Sequence, residues 1–140
     1  VELLDPPDFP VLQKHGLHCA MVSFPSAEGP GGKKVGSIPH AFNRLEHHDL
    51  LVQLYDPLMR TSAEAGFKNL ICFSGNRDGL DDEQGLENCA IGLRRLLPLA
   101  EKLGVTLTME LLNSKVNHKD YMADHSAWGA ALCEKLGSEH

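Results

Sequence analysis

Three segments of the chain share one order of hydrophobic and polar positions. Each has an amphipathic stretch, a glycine, a short apolar run and then polar loop residues, and a fourth such unit begins near the end of the chain. The glycines of these units are Gly16, Gly66, Gly104 and Gly137. A glycine in this place is typical of a helix end, where the backbone turns left-handed. Helix, glycine and buried strand in repetition predict a parallel α/β fold.

The same pattern predicts where the elements lie. Strands are expected at residues 1–4, 17–24, 69–73 and from 105 toward 110. Helices are expected at residues 9–15, 45–65, 81–103 and 122–136. Pro57 should kink or split the second helix, and Pro98 should bend the third. The glycine-rich stretch 25–38 is either part of the mouth of a site or a plain surface excursion.

The last predicted strand ends in an acidic residue, which is unusual for a buried strand. A strand buried on both faces is expected to be nearly all apolar, yet Glu110 and Asn113 stand where this one should end. In parallel α/β folds the working residues lie at the C-terminal ends of strands. Glu110 is therefore a candidate metal ligand or general base. The structural alternative is a glutamate paired with a nearby lysine or arginine.

The same rule selects polar residues in the loops after the other strands. The candidates for contact with a substrate are Ser74, Asn76, Asn113, His118 and Tyr121, and Ser23 follows an earlier strand.

The eight histidines form no clear metal-binding motif. His47 and His48 lie beside Glu46 and Asp49, but adjacent residues of a helix point in different directions. We therefore expect a solvated or helix-capping cluster there. His118 and the nearby His125 flank the last loop, where binding and surface roles are both open.

Composition bounds the class of protein. The length of 140 residues favours one domain. The net charge of −6 argues against nucleic acid as a partner, because phosphate binding requires a basic surface. No apolar run is long enough for a membrane helix, and no signal peptide is visible. Four widely spaced cysteines without a CxxC motif indicate buried free thiols in a reducing compartment, so we expect a cytoplasmic protein. Neither a nucleophile elbow, a P-loop nor a GxGxxG motif occurs.

Residues 97–113 (Leu-Pro-Leu-Ala-Glu-Lys-Leu-Gly-Val-Thr-Leu-Thr-Met-Glu-Leu-Leu-Asn) resemble the passage from the fourth helix to the fifth strand of the xylose-isomerase-like TIM barrels. With residues 114–129, 1–6 and 42–48, the chain looks most like the hydroxypyruvate isomerase branch of that superfamily. The resemblance implies a parallel (β/α)8 barrel of which about half is present, roughly the second to fifth βα units. Residues 1–140 would then be one partial domain, incomplete at both ends.

The resemblance also implies a chemistry. Glu110 would be a ligand of a divalent metal, Mg²⁺ or Mn²⁺, and one of two catalytic glutamates. The reaction would be an aldose–ketose type isomerisation through an enediolate, with hydroxypyruvate and tartronate semialdehyde as the pair. Asn113, His118 and Tyr121 would lie in the substrate-facing loop. The partner would be a small hydroxy-keto acid or sugar, and the full-length protein could form a homo-oligomer.

Other functions stay open at this point. A sugar epimerase or an endonuclease for damaged DNA would belong to the same superfamily, although the acidic charge counts against the nuclease. A complete small binding domain with an open doubly wound sheet and a structural Glu110 belongs to another class. One carboxylate cannot hold Mg²⁺ or Mn²⁺ in six-coordinate geometry, so this chain alone is expected to be inactive.

Overall fold

Four parallel strands form the central sheet in a computed structural model that describes residues 1–140. In chain order, and counting a separate hairpin of β3 and β4, the strands are β1 (Glu2–Leu4), β2 (Met21–Val22), β3 (Ala27–Glu28), β4 (Lys34–Val35), β5 (Asn69–Cys72) and β6 (Thr106–Met109). The order in the sheet is β1-β2-β5-β6. Each strand therefore lies beside the next parallel strand of the chain, as in the wall of a barrel. A doubly wound sheet would reverse its order at one strand, and this sheet does not.

Five α-helices pack around this sheet. They are α1 (Phe9–Lys14), α2 (His48–Glu64), α3 (Asp82–Arg94), α4 (Leu97–Leu103) and α5 (Ser126–Leu136). The four predicted glycine stops are confirmed, because Gly16, Gly66, Gly104 and Gly137 have φ angles of 63°, 80°, 64° and 64°. A residue with a Cβ atom is strained in this left-handed region. No helix of the structure combines the length and the apolar character that a membrane crossing requires.

The hydrophobic core lies between the helices and the sheet. Val22 of β2 and Leu70 of β5 are fully buried in it, together with Leu51 and Met59 of α2. Two parallel strands that are covered in this way require apolar residues, which the sequence supplies. The core therefore supports β2 and β5, the two inner strands of the sheet.

The structure divides one of the two predicted helices in which Pro57 and Pro98 lie. The helix α2 continues through Pro57. Pro57 and Gln53 are exposed, so the carbonyl group that loses its partner lies on the solvent side of the helix. The predicted third helix is not bent but divided into α3 and α4, and Pro98 lies in the first turn of α4. Proline is well tolerated there because a first-turn N–H has no partner within the helix.

Two predicted elements are clearly shorter than expected. The strand expected at 17–24 is limited to Met21–Val22, and the stretch 25–38 contains the β3–β4 hairpin. The helix expected from Met122 begins at Ser126. Met122 and Ala123 precede it and are fully buried, because their backbone is bonded to the loop after β5.

The strand β6 lies at one edge of the sheet and is half-buried along its whole length. The prediction of a strand buried on both faces is wrong here. A groove of about 350 Å³ separates the edge of β6 from α5. At this edge the amide of Leu107 donates to the carbonyl oxygen of His140 over 2.8 Å.

Candidate functional site

Glu110 follows directly after β6, at the C-terminal end of the sheet. Alternation along a strand places Thr108 and Glu110 on one face and Leu107 and Met109 on the other, and the latter two pack against the core. Glu110 is half-buried. Its carboxylate makes no hydrogen bond or ion pair with another residue, whereas six ion pairs of arginine or lysine with acidic residues form elsewhere in the chain. The ion-paired alternative for Glu110 is therefore absent from the structure.

The hydroxyl group of Tyr121 lies between the ends of β5 and β6. In the ladder of these strands, the amide of Glu110 donates to the carbonyl oxygen of Cys72 over 3.0 Å. The pattern of a parallel ladder makes the next bond one from the amide of Ser74 to the carbonyl oxygen of Glu110. Instead, the Ser74 amide donates to the Tyr121 hydroxyl oxygen over 3.0 Å, and this hydroxyl donates to the Glu110 carbonyl oxygen over 2.9 Å. One hydroxyl group thus replaces one direct bond between the strands.

Tyr121 belongs to an extended segment that lies across the loop after β5. The amide of Met122 donates to the carbonyl oxygen of Gly75 over 3.0 Å. The amide of Ala123 donates to the hydroxyl oxygen of Ser74 over 3.0 Å. Tyr121 itself forms an antiparallel bridge with Asn76. These bonds attach the two loops to each other along this segment.

Arg77 fastens the same two loops with its side chain. The guanidinium group donates to the carbonyl oxygens of Tyr121 and Met122. It also pairs with the carboxylates of Asp82 at 2.7 Å and Asp124 at 3.3 Å. A planar group with five donors suits this set of acceptors. Arg77 therefore fixes the segment that carries Tyr121.

The candidate substrate contacts fall into two groups. Ser74 and Tyr121 are fully buried, and their hydroxyl groups are engaged with the backbone. They lie beneath the surface of the site and support it. Asn76 and His118 are half-buried, and Asn113 is exposed. The side chains of Asn76 and His118 make no hydrogen bond within the chain, so these two have free polar groups for a ligand.

Asn76 and His118 lie together in a polar cavity of about 480 Å³, which is formed mainly by the loops that follow β5 and β6. The cavity is lined by Ile38, Pro39, Asn76, Asn117, His118, Lys119 and Asp120. Glu110 and Asn113 do not line this cavity. Asn113 instead accepts a hydrogen bond from the amide of Lys115 over 2.9 Å, which fixes the turn after Glu110. The structure thus brings two of the predicted contacts together in one cavity, and it places Glu110 outside that cavity, directly after β6.

The prediction of a solvated or helix-capping cluster at His47 and His48 is wrong, since α2 has no side-chain cap from His47. Both residues are buried. His47 Nδ1 lies 3.1 Å from the carbonyl oxygen of Ala41, and His48 Nε2 lies 2.8 Å from that of Phe42. Burial lowers the pKa of both imidazoles, against the raising effect of these hydrogen bonds. The two histidines therefore fix the backbone of the segment that contains Ala41 and Phe42.

The sequence pattern missed Asn43, a fully buried residue of that segment. Its Nδ2 atom donates to the carbonyl oxygen of Asn76 over 2.6 Å, and its own carbonyl oxygen accepts from Asn88 over 2.9 Å. No local signal marks Asn43, since it follows no strand. Arg77 was within reach of sequence analysis, because it lies in the polar loop after β5.

The residues of this chain do not by themselves fit the metal that the resemblance implies. Mg²⁺ and Mn²⁺ prefer about six oxygen ligands. No three His, Cys, Asp or Glu side chains lie together in a way that could hold a metal ion. Glu110 is thus a single candidate ligand, and one carboxylate is too few to hold such an ion.

The arrangement of consecutive parallel strands, outer helices and polar residues at the C-terminal strand ends defines a TIM-barrel type of α/β fold. Three-dimensional comparison supports this class. The chain superimposes on the AP endonuclease, family 2, of Brucella melitensis with a TM-score of 0.78 and 20% identity, over 97% of this chain and 53% of that protein. These figures describe a shared fold.

Two epimerases share the same fold. The 3-keto-D-glucoside 4-epimerase of E. coli matches with a TM-score of 0.64 and 14% identity, over 96% of this chain and 52% of that protein. An L-ribulose 3-epimerase matches with a TM-score of 0.65 and 15% identity, over 99% and 46%. The chain spans about half the length of the solved structures it matches. No family model matches the chain, and no curated protein does either.

Proposed function

We propose that the protein is a sugar epimerase, or a closely related isomerase, that moves a proton at a carbon next to a carbonyl group. The observation that carries the proposal is the state of Glu110. Its backbone is fixed on two sides, by Cys72 and by the hydroxyl of Tyr121, while its carboxylate has no partner in the chain. A base held in this way can accept a proton from a bound substrate.

The position of Glu110 supports this role. Ligands of parallel α/β folds bind at the C-terminal ends of the strands, and Glu110 directly follows β6. Asn76 and His118 line the neighbouring polar cavity. Amide and imidazole groups can bond to the hydroxyl and carbonyl oxygens of a sugar. In the proposal, Glu110 removes the proton and these side chains hold the substrate.

Epimerisation needs more than one group. The proton leaves from one face of the carbon and another is added to the opposite face, so a second acid–base group has to lie across from Glu110. The negative charge that develops on the carbonyl oxygen also needs stabilisation. Mg²⁺ or Mn²⁺ could supply it, but only with ligands in addition to Glu110.

The sugar is the preferred substrate class over hydroxypyruvate. Two of the matched structures are described as epimerases of sugars, and a third match, with a TM-score of 0.65, is a D-psicose 3-epimerase in the presence of D-fructose. A cavity of about 480 Å³ with mostly polar lining residues has room for a six-carbon sugar. Hydroxypyruvate remains the second substrate to be tested.

An endonuclease acting on damaged DNA is a second candidate, favoured by the TM-score of 0.78 to the AP endonuclease. The net charge of −6 opposes it, because binding to DNA phosphates draws on a basic surface. Both possibilities can be compared in one set of assays.

The test uses the purified full-length protein with and without added Mn²⁺. D-fructose, D-psicose, hydroxypyruvate and an oligonucleotide with an abasic site are each incubated with the wild type, Glu110→Gln and Glu134→Gln. Glu134 is exposed on α5 and makes no ion pair, so it is the matched control. We expect conversion of a sugar that is lost only in Glu110→Gln. Incision of the oligonucleotide without sugar conversion would overturn the proposal in favour of the nuclease.

A further inference from the structure

We infer that Tyr121 is a positioning residue for Glu110. Its hydroxyl group accepts a hydrogen bond from Ser74 and donates one to Glu110, and this bridge between the ends of β5 and β6 is called the inserted rung. This inference rests on the proposed function in one respect, namely that Glu110 carries the reaction. It assigns Tyr121 a role through the backbone of Glu110 and not through contact with a substrate.

The first argument is the register of the two strands. Cys72 pairs with Met109 in the ladder, so Phe73 is opposite Glu110 and the next bond should join Ser74 to Glu110 directly. The hydroxyl of Tyr121 takes that place and adds one oxygen atom between the two backbones. The strand ends are therefore separated at the level of Glu110.

The second argument is the state of the hydroxyl group. The side chain of Tyr121 is fully buried, and burial raises the pKa of its hydroxyl well above the ordinary value of 10. The hydroxyl keeps its proton at all physiological pH values, so it can accept from Ser74 and donate to Glu110 at the same time. A phenylalanine would leave the buried N–H group of Ser74 and the C=O group of Glu110 without their hydrogen-bond partner.

The third argument is that Tyr121 is itself held firmly. Arg77 donates to its carbonyl oxygen, and the Tyr121 amide donates to the carbonyl oxygen of His118 over 2.8 Å. His118 lines the polar cavity. One short segment therefore links the cavity to the backbone of the proposed base. A displacement of about 1 Å in such a base can cost a factor of about 100 in rate.

The chain provides a matched control. Tyr55 of α2 is also buried, and its hydroxyl donates to the carbonyl oxygen of Ile71 over 2.9 Å. Tyr55→Phe loses one buried hydrogen bond from a tyrosine hydroxyl to the backbone of β5, at a residue before the strand end that is not bonded to Ser74 or Glu110. A purely structural role for Tyr121 predicts the same kinetic effect from both substitutions.

The experiment compares Tyr121→Phe with Tyr55→Phe in the full-length protein. We expect Tyr121→Phe to lower kcat at least about tenfold with KM within about threefold, because the base and not the substrate contact is displaced. Tyr55→Phe should leave both constants within about threefold. Equal kcat values for the two variants would overturn the inference.

A second pair of variants covers the case in which Tyr121→Phe does not fold. Arg77→Lys keeps a positive charge near Asp82 and Asp124. It loses the branched guanidinium group, one nitrogen of which donates to the carbonyl oxygen of Tyr121. Its control is Arg60→Lys, in an exposed pair with Asp56. We expect Arg77→Lys alone to lower kcat with unchanged KM. An unchanged kcat would contradict the inference.

A third measurement is independent of activity. Amide hydrogen exchange at Ser74 should be at least about tenfold faster in Tyr121→Phe and unchanged in Tyr55→Phe, since only the first removes the acceptor of that amide. Unchanged exchange at Ser74 would show that the rung does not exist. If Glu110→Gln keeps full activity while Ser74 exchange changes as expected, the proposed function fails and the inserted rung stands.

Discussion

The hydroxyl of Tyr121 lies 2.9 Å from the backbone carbonyl oxygen of Glu110 and bridges it to the strand next to it. Tyr121 comes eleven residues after Glu110, beyond a polar loop. The loop returns on itself so that its last residues cover the strand end where it started. Two residues of one candidate site are thus joined through a backbone contact.

The hydrogen bonds and the ion pair of the Asp124 carboxylate should together contribute measurably to stability. Burial alone would raise the pKa of Asp124, but the Ser114 hydroxyl, His125 and Arg77 lower it to about 2. The folded state therefore binds fewer protons than the unfolded state. The stabilisation is present above about pH 4 and is lost as the pH falls toward about 2.

Asp124→Asn should lower the free energy of unfolding by about 2 kcal/mol at pH 7 and by about half as much at pH 3. Urea unfolding at the two pH values measures this. The control is Asp56→Asn, which removes an exposed pair of 2.7 Å with Arg60 and should cost less than about 0.5 kcal/mol. Equal losses of unfolding free energy for the two variants at pH 7 would show that Asp124 stabilises the protein no more than an exposed ion pair does.

The buried histidines His47 and His48 should make the protein less stable in mild acid. Burial lowers the pKa of each below 6.5 in the folded protein, with Ala41 and Phe42 as opposing hydrogen-bond partners. The unfolded state then binds more protons. Stability is full above about pH 6.5 and falls as the pH decreases toward the lowered values, by at most about 1.4 kcal/mol per pH unit for each histidine.

The replacement of either histidine by glutamine keeps a donor for the carbonyl oxygen and removes the titrating group. Urea unfolding of His47→Gln and His48→Gln between pH 7.5 and 5 should show a shallower loss of stability than the wild type. His15→Gln, at an exposed position after α1, should keep the wild-type slope. A wild-type slope in all three variants would rule out this source of acid sensitivity.

The four free thiols should differ sharply in reactivity. Cys19, Cys72 and Cys89 are buried, and Cys133 on α5 is exposed, which corrects the prediction that all four would be buried. Burial raises the pKa of Cys72 to about 12 and also raises that of Cys89. Because the thiolate is the reactive form, a thiol reagent should label one cysteine rapidly in the native protein. The Cys133→Ser variant should lose this phase, and a rapid phase that persists in it would contradict the fold.

The parts of the fold that depend on local rules could be predicted from the sequence. The glycine stops and the apolar strand at residues 69–73 need only neighbouring residues to be recognised. Glu110 could also be found, because a strand end is a local feature and an acid there is conspicuous.

The parts that depend on distant contacts could not be predicted in this way. His47 and His48 look like a polar helix start, but the segment before them packs against the end of β5, where the amide of Asn43 donates to the carbonyl oxygen of Ser74 over 2.7 Å. That packing buries both rings. The position of Tyr121 likewise depends on the register between two strands and a loop, which hydrophobic periodicity does not contain.

Deuterium exchange tests the central claim most directly. The full-length protein is incubated in D2O with the sugar that it converts, and the incorporation of deuterium at the carbon next to the carbonyl group is followed by NMR. We predict that Glu110→Gln slows incorporation by about 100-fold or more, while Glu134→Gln stays within about twofold of the wild type. A loss of less than about tenfold in Glu110→Gln would contradict the assignment of Glu110 as the base.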